Sequence, residues 1–438
     1  MKSAIKTNRF ILKKFKEAFI TQNYLNWFKD DYVKKFILFK SNKIKTLEED
    51  VKKKMMKKGN FFYAIFFEKK HIGNILIHKV DLKNKTAWMG ILIGDKKWRG
   101  KGVAPEVINE ISKNLFNKYK IKNLYLGLSR KNLPALNSYK KIGFNIINQT
   151  NQKIFMRLNI RNKFILGLVQ FVQLYGIANE NKKIINKLKV KEILKYFSKN
   201  QINELDTAES YNFDLKHLPR GILWNINTKI EINKKNSNIN NLKKYIKNKI
   251  LLNKNIFLKS ILIHNPEMIF TDLGKKVLSN LYILKKKRYF DKIGISIYEF
   301  NDLKKIIKLN EIDIVQLPYN IIDRRYEKYQ KYLKDNNIEV HARSIFLQGL
   351  LLSNKIKFKK FKKIKEKLNS FLYKRKISKI EGCINFVTNN ECISKFIFGV
   401  QNLNQAKDIL NYKKISKIIF PKNLISINRK IIDPRNWE

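Results

Sequence analysis

Cysteine is nearly absent from this chain of 438 residues, and with it go two common ways of holding a protein together. Cys383 and Cys392 are the only two, with no histidine at metal-ligand spacing, which argues against both a disulfide framework and a zinc site. No metal-binding residues are assigned, and a reducing, cytoplasmic setting fits best. Long apolar runs are missing too. The opening stretch MKSAIKTNRFILKKF has no apolar signal core. The most apolar run, Phe164 to Ala178, is shorter than the ~20 residues a spanning helix needs. A soluble protein with no membrane partner is expected.

Negative charge is the third shortage: 35 acidic residues face 93 lysines and arginines, leaving a formal charge of +58. So basic a chain first suggests nucleic acid or an anionic membrane. The lysines, however, are spread through almost every expected helix and loop instead of forming a stripe. Asn and Ile are over-used beside them, and the three share A/T-rich codons, so gene base composition accounts for the excess. No specific nucleic-acid partner is expected. The diffuse positive field still attracts anionic small molecules, more weakly as salt rises.

What is present is core material for two domains. Hydrophobic residues make up 44% and aromatics 12% of the chain. Single cores usually stop growing at about 250 to 300 residues, so two units are expected.

In the first part, Phe61 to Phe67 and His71 to Val80 read as a hairpin turning at Glu68 to Lys70, followed by a strand over Ala87 to Gly94. Trp98, Arg99, Gly100, Lys101, Gly102, Val103, Ala104 and Pro105 then lead into Glu106 to Lys120, where Val107, Ile108, Ile111, Leu115 and Phe116 recur at helical spacing. A glycine-rich turn at a helix N-terminus leaves backbone N–H groups uncovered in the positive end of the dipole, which suits a pyrophosphate. Glycine in a tight turn also has a purely steric reading. A second element, Asn132, Ala135, Tyr139, Gly143 and Phe144, follows a strand over Leu124 to Leu128.

Together these elements resemble the GCN5-related N-acetyltransferase (GNAT) superfamily over about 150 residues. Arg99, Gly102 and Ala104 match its pyrophosphate pattern, while Asn132 through Phe144 match the pattern that follows. The opening, Arg9-Phe-Ile-Leu then Tyr24-Leu-Asn-Trp27, is similar to the branch containing ribosomal-protein acetyltransferases. The resemblance implies acetyl-CoA as cofactor, held by Arg99, Gly100, Lys101, Gly102, Val103, Ala104 and Asn132. It implies splayed strands around the thioester and Tyr139 as general acid to the thiolate. Related sequences often carry Glu where Trp88 stands, so the general base is unassigned.

Beyond a join at Asn159 to Lys163, strands and helices alternate for the length of an eight-fold barrel. Eight strands are read: Ile165 to Gln170, Glu204 to Thr207, Ile222 to Ile230, Lys259 to His264, Lys292 to Ile297, Asp313 to Leu317, Glu339 to Ser344 and Phe396 to Val400. Helical segments include Asn240 to Leu252, Leu273 to Lys287 and Arg325 to Asn336. Chemistry in such barrels sits at the C-terminal strand ends, which here offer Asp206, Tyr211, Lys229, His264 and Gln316. Taken singly, each has a plain structural reading as a cap, a surface lysine or a core histidine.

In this order the set resembles the aldo/keto reductase superfamily, through Asp206-Thr207-Ala208 followed by Tyr211, then Lys229, then His264-Asn265-Pro266. The resemblance implies Tyr211 as proton donor to a carbonyl oxygen, Lys229 held by Asp206 and lowering the Tyr211 pKa, and His264 orienting the substrate. It implies NADP(H) as cofactor, with Ser296 and Gln316 at the nicotinamide carboxamide and Ser344 and Gln405 in segments near the phosphates and adenosine. Val172 and Asn212 stand where relatives tend to have Gly, so a barrel that binds without catalysing stays open.

The expected architecture is therefore α/β, with a GNAT-type α+β domain over 1–158 and a (β/α)8 TIM barrel over 163–438. The expected function is a bifunctional enzyme acting on a small carbonyl, such as a sugar or nucleotide-sugar intermediate, and on a small amine. An RNA- or ribosome-associated protein acetyltransferase with a scaffold barrel is the alternative.

Overall fold

The computed structural model describes residues 4–7, 9–37, 43–119, 121–159, 163–174, 184–200, 202–220, 223–251, 255–353, 361–413, 415 and 418–437. Lys120, Ile222, Leu252 and residues 160–162 of the expected join lie outside them. The chain separates into two compact units, Met1–Asn162 and Lys163–Glu438.

The first unit is one sheet of eight strands: β1 (Ala4–Lys6), β2 (Ile11–Lys14), β3 (Phe61–Phe67), β4 (Lys70–Asp81), β5 (Thr86–Ile93), β6 (Asn123–Ser129), β7 (Asn145–Gln149) and β8 (Lys153–Asn159). Their spatial order is β1-β2-β3-β4-β5-β6-β8-β7. Glu68 opens the β3–β4 turn with φ of 52°. Strand alternation sends apolar residues to both faces. Ile75, Ala87, Met89, Leu124 and Met156 pack with Val107, Ile108 and Ile111 of the helix Val103–Tyr119. Phe62, Ala64 and Phe66 pack on the other face with Tyr24, Trp27, Leu47 and Val51. All ladders are antiparallel except β5–β6, which is parallel and pairs only Thr86, Ala87 and Trp88 with Asn123, Leu124 and Tyr125. Beyond that row the two strands part.

The second unit is a closed barrel of parallel strands: β9 (Phe164–Gly167), β10 (Glu204–Asp206), β11 (Trp224–Ile230), β12 (Ile256–Ile263), β13 (Lys292–Ser296), β14 (Ile314–Pro318), β15 (Glu339–Arg343) and β16 (Lys395–Phe398). β16 pairs with β9 through Phe396, Ile397 and Phe398, which closes the ring. The expected first strand ends early, because Val169–Phe171 forms a short 3-10 turn that carries Gln170. The expected helix Arg325 to Asn336 is a 3-10 turn, Arg325–Tyr329, followed by a helix at Gln330–Asp335. The segment from Asn240 is helical over Ile239–Tyr245 and continues as a π-helix. Leu166, Leu205, Ile226, Leu258, Ile295 and Val315 belong to one continuous apolar core.

The interior near the strand starts is charged. Glu204, first residue of β10, accepts hydrogen bonds at 3.0 Å from both Lys259 and Lys395 and one at 3.1 Å from Asn227 Nδ2. Lys292 pairs with Glu339, which also meets His341 Nε2 at 2.9 Å. Burial alone would raise the Glu204 carboxyl, but Lys259, Lys395 and His341 outweigh it and hold the group well below the usual carboxylate range. This network plugs one end of the barrel and leaves the other for chemistry. Among the described residues no helix is long and apolar enough to cross a membrane.

Candidate active sites

At the strand ends of the barrel, Lys229 Nζ donates to Asp206 Oδ1 at 2.5 Å and to Thr207 O at 3.2 Å. Both side chains are buried, at 2% and 6% exposure, so the pair is shielded from water. Gln316 Nε2 donates to the other Asp206 oxygen at 2.9 Å. Tyr211 sits in a 3-10 turn, Glu209–Tyr211, with Lys229 Nζ 5.4 Å from its ring centroid. That turn is held from outside, since Glu209 accepts from Asn236 at 3.0 Å and from Lys235 at 2.6 Å. His264 follows β12, its ring edge-on to Tyr211 with centroids 6.5 Å apart. Asn265 locks the two neighbouring strand ends, accepting from Ile232 N at 2.7 Å and donating to Ile232 O at 3.2 Å. Four residues scattered over 59 positions of sequence thus meet in one cluster.

The electrostatics correct one expectation. The Tyr211 phenol is pushed up from its ordinary value, first by burial and then by the Asp206 carboxylate. Lys229 itself is lowered, chiefly by burial, while Asp206 partly restores it. His264 is held down to about 4 by burial and by the Lys229 charge. At neutral pH the cluster therefore presents a protonated phenol and a neutral imidazole.

Two departures from the family pattern prove harmless to the backbone. Asn212 has φ of 53°, the left-handed conformation that glycine favours and asparagine tolerates. Val172 has φ of −130°, which any residue adopts.

Ser296 and Gln316 are buried and bonded to each other at 3.4 Å, and Gln316 also orients Asp206. Ser344, Leu347 and Gln348 have φ of 56°, 47° and 51°, followed by Gly349 at 88°. The loop is closed on itself, with Leu347 N donating to Ser344 O and Gly349 N to Phe346 O, both at 2.9 Å. Gln405 accepts from Gln401 N at 2.8 Å at the start of the helix Leu403–Leu410. Sequence reading missed Arg343 and Tyr298. Arg343, at the end of β15, lies 3.7 Å from the Tyr298 ring centroid and donates to Ile297 O at 2.9 Å. Its charge bears on Tyr211 and His264. Arg343 opens a run, Arg343 to Leu351, that also resembles the aldo/keto reductase pattern, but its sequence position gave it no role.

In the first unit Gly100 and Gly102 have φ of 71° and 74°, immediately before the helix that starts at Val103. The turn is tied down: Arg9 donates to Glu106 at 2.7 Å and to Lys101 O at 3.1 Å, and Thr7 donates to Glu106 at 2.6 Å. Arg99 points into the protein, bonded to Ile93 O at 3.1 Å, Gly94 O at 2.9 Å and Asp30 at 2.8 Å, so it fixes the turn. Lys101 is exposed, whereas Val103 is buried in the core and Ala104 half-buried against it. Asn132 caps the helix Leu133–Ile142 and accepts from Tyr32 at 3.1 Å. Tyr139, on that helix, is pushed up to about 12 by burial, with Tyr32 adding to the shift. It keeps its proton at neutral pH. Among the described residues no cluster of candidate metal ligands occurs.

Residues 164–419 match the model of the aldo/keto reductase family. The chain belongs to that family. Residues 9–145 match an acetyltransferase (GNAT) domain, so this aldo/keto reductase family member carries a second catalytic fold ahead of its barrel. The spermine/spermidine N(1)-acetyltransferase of Bacillus subtilis (strain 168) is 30% identical over 64 residues, 15% of this chain and 42% of that protein. The chain thus spans less than half the length of the curated relatives it matches. An aldo-keto reductase from Bacillus halodurans in its holo form is 17% identical, with TM-score 0.47, over 58% of this chain and 88% of that one. The microcin C7 self-immunity acetyltransferase, in complex with acetyl-CoA and AMP, is 16% identical, with TM-score 0.33, over 36% of this chain and 97% of that one.

Proposed function

We propose that the chain is a bifunctional enzyme, an NADP(H)-dependent carbonyl reductase joined to an acetyl-CoA-dependent N-acetyltransferase. The observation that carries the reductase reading is the buried Lys229–Asp206 pair beside Tyr211. NADP(H) supplies the hydride, and Ser296, Gln316, Ser344 and Gln405 are the residues to hold it. Tyr211 gives its proton to the carbonyl oxygen as that oxygen gains negative charge. The buried Lys229 ammonium then faces the new phenolate, which gives the charge a partner it lacks in the ground state. His264, neutral, donates or accepts a hydrogen bond at the substrate oxygen without adding charge.

In the first unit Gly100, Gly102 and the helix start at Val103 are suited to the pyrophosphate of acetyl-CoA, and the parted strands β5 and β6 to its thioester arm. Asn132 positions the helix that carries Tyr139, which protonates the departing thiolate. The carbonyl substrate belongs to small aldehydes, ketones or sugars. Thermal-shift titration with NADPH and acetyl-CoA separately tests the reading, because each ligand that binds only the folded state raises the melting temperature with concentration. No shift with NADPH would end the reductase reading, and none with acetyl-CoA the transferase reading.

A further inference from the structure

One row of side chains crosses the open part of the sheet of the first unit and takes no part in the roles above. His78, Trp88, Tyr125 and Arg157 are successive Cα partners on β4, β5, β6 and β8, so they leave the same face. The Trp88 and Tyr125 rings stack with centroids 5.5 Å apart. This is the last paired row before β5 and β6 part, so the shelf lies at the floor of that opening.

Two features mark the shelf as built. β4 carries a bulge between His78 and Asp81, and Lys79 within it has φ of 48°, a strained conformation for lysine. Strand alternation would send Lys79 to the opposite face, but the bulge brings its ammonium 5.4 Å from the Trp88 ring centroid. At the other end of the row, Arg157 Nε is buried and has no hydrogen-bond partner among the described residues. The charges that bear on His78 are those of Lys79 on its own strand and Lys57, which follows the helix Ile44–Met56. The acid of the same turn, Asp81, is bonded to Asn84 at 2.8 and 2.7 Å.

We infer that this shelf is the acceptor site of the transferase, where a phosphate-bearing amino sugar lies over Trp88 and Tyr125, its phosphate meets Lys79, and its amine gives a proton to His78. The inference rests on the acetyltransferase reading and narrows its substrate. Polyamines, for which the curated relatives are named, carry several positive charges that Lys79 and Arg157 repel. Burial, followed by the charges of Lys79 and Lys57, holds His78 below the ordinary histidine range, so it is neutral at pH 7. In the reaction the neutral amine nitrogen bonds to the acetyl carbonyl carbon and loses one proton to His78. The carbon–sulfur bond breaks, its electron pair leaves on sulfur, and sulfur takes the Tyr139 proton. Solvent then returns a proton from His78 to Tyr139.

The test measures thiol release from acetyl-CoA with glucosamine 6-phosphate, glucosamine and spermidine. Glucosamine 6-phosphate is expected to exceed both others in kcat/KM by about tenfold or more, the ratio for ~1.4 kcal/mol of charge recognition. Lys79→Glu should lower kcat/KM for glucosamine 6-phosphate by about tenfold or more and remove its advantage over glucosamine, with Lys79→Asn, which tolerates the left-handed backbone, giving an intermediate result. His78→Gln should lower kcat about a hundredfold or more at unchanged KM for acetyl-CoA, and abolish the acid limb of the pH profile. A panel in which no phosphorylated amine outpaces spermidine, or a His78→Gln enzyme with the wild-type pH profile, overturns the inference. Acetyl-CoA binding by thermal shift separates this failure from failure of the acetyltransferase reading itself.

Discussion

Lys229 and Asp206 form an ion pair of 2.5 Å in a part of the barrel that excludes water, with the Lys229 ammonium 5.4 Å from the centre of the Tyr211 ring, and burial together with the Asp206 carboxylate holds that phenol above its ordinary value. The resting phenol therefore keeps its proton, and the lysine acts on the state that follows proton donation.

Tyr211→Phe should leave NADPH binding nearly intact while carbonyl reduction falls by orders of magnitude, measured with a generic aldehyde. Lys229→Met should lose a comparable factor. The double variant should be scarcely worse than either single one, as expected of groups serving one proton transfer. Additive losses would contradict the assignment.

His264 should leave a signature in stability against pH. Its folded pKa of about 4 lies below the ordinary value near 6.5, so the unfolded chain takes up a proton first as pH falls. The stability it supports is complete above about pH 6.5 and is lost progressively toward pH 4. Urea unfolding of His264→Gln should show a smaller drop between those two values than wild type does.

The acetyltransferase site should respond differently at two positions. Gly102→Glu places a side chain on a left-handed backbone, with φ of 74°, and a negative charge at the pyrophosphate turn, so acetyl-CoA affinity should fall strongly. Tyr139→Phe should bind acetyl-CoA normally yet turn over slowly, because it removes a proton donor and little contact area. Isothermal titration and steady-state kinetics separate the two effects.

Glu204→Gln should destabilise the barrel by about 3–5 kcal/mol, since it removes the buried anion that faces the half-buried Lys259 and Lys395. Because the folded carboxyl titrates far below its unfolded value, the wild-type pair contributes fully above about pH 4.3 and is lost as pH falls further. The difference in unfolding free energy between wild type and variant should shrink in acid.

Local pattern settled much of this in advance. The glycine turn before Val103, the strand over Glu204–Asp206 and the run Trp224–Ile230 are decided by neighbours in sequence, through strand and helix periodicity and the φ freedom of glycine. Family resemblance placed Asp206, Tyr211, Lys229 and His264 in one order at strand ends, and the closed ring from β10 to β9 brings those ends together. Which way each group titrates was not legible, because burial and paired charge arise only when distant segments pack. Arg99 illustrates the same limit: its sequence position says phosphate, while its bonds to Asp30, Ile93 and Gly94 make it a brace. Lys79 is the last case. Among so many lysines only the bulge in β4, set by its pairing with β5, turns this one onto Trp88. Sequence determined which residues stand at the strand ends and in the glycine turn, since that depends on local period. Tertiary structure alone decided what charge and direction they have there, since that depends on what the rest of the chain lays against them.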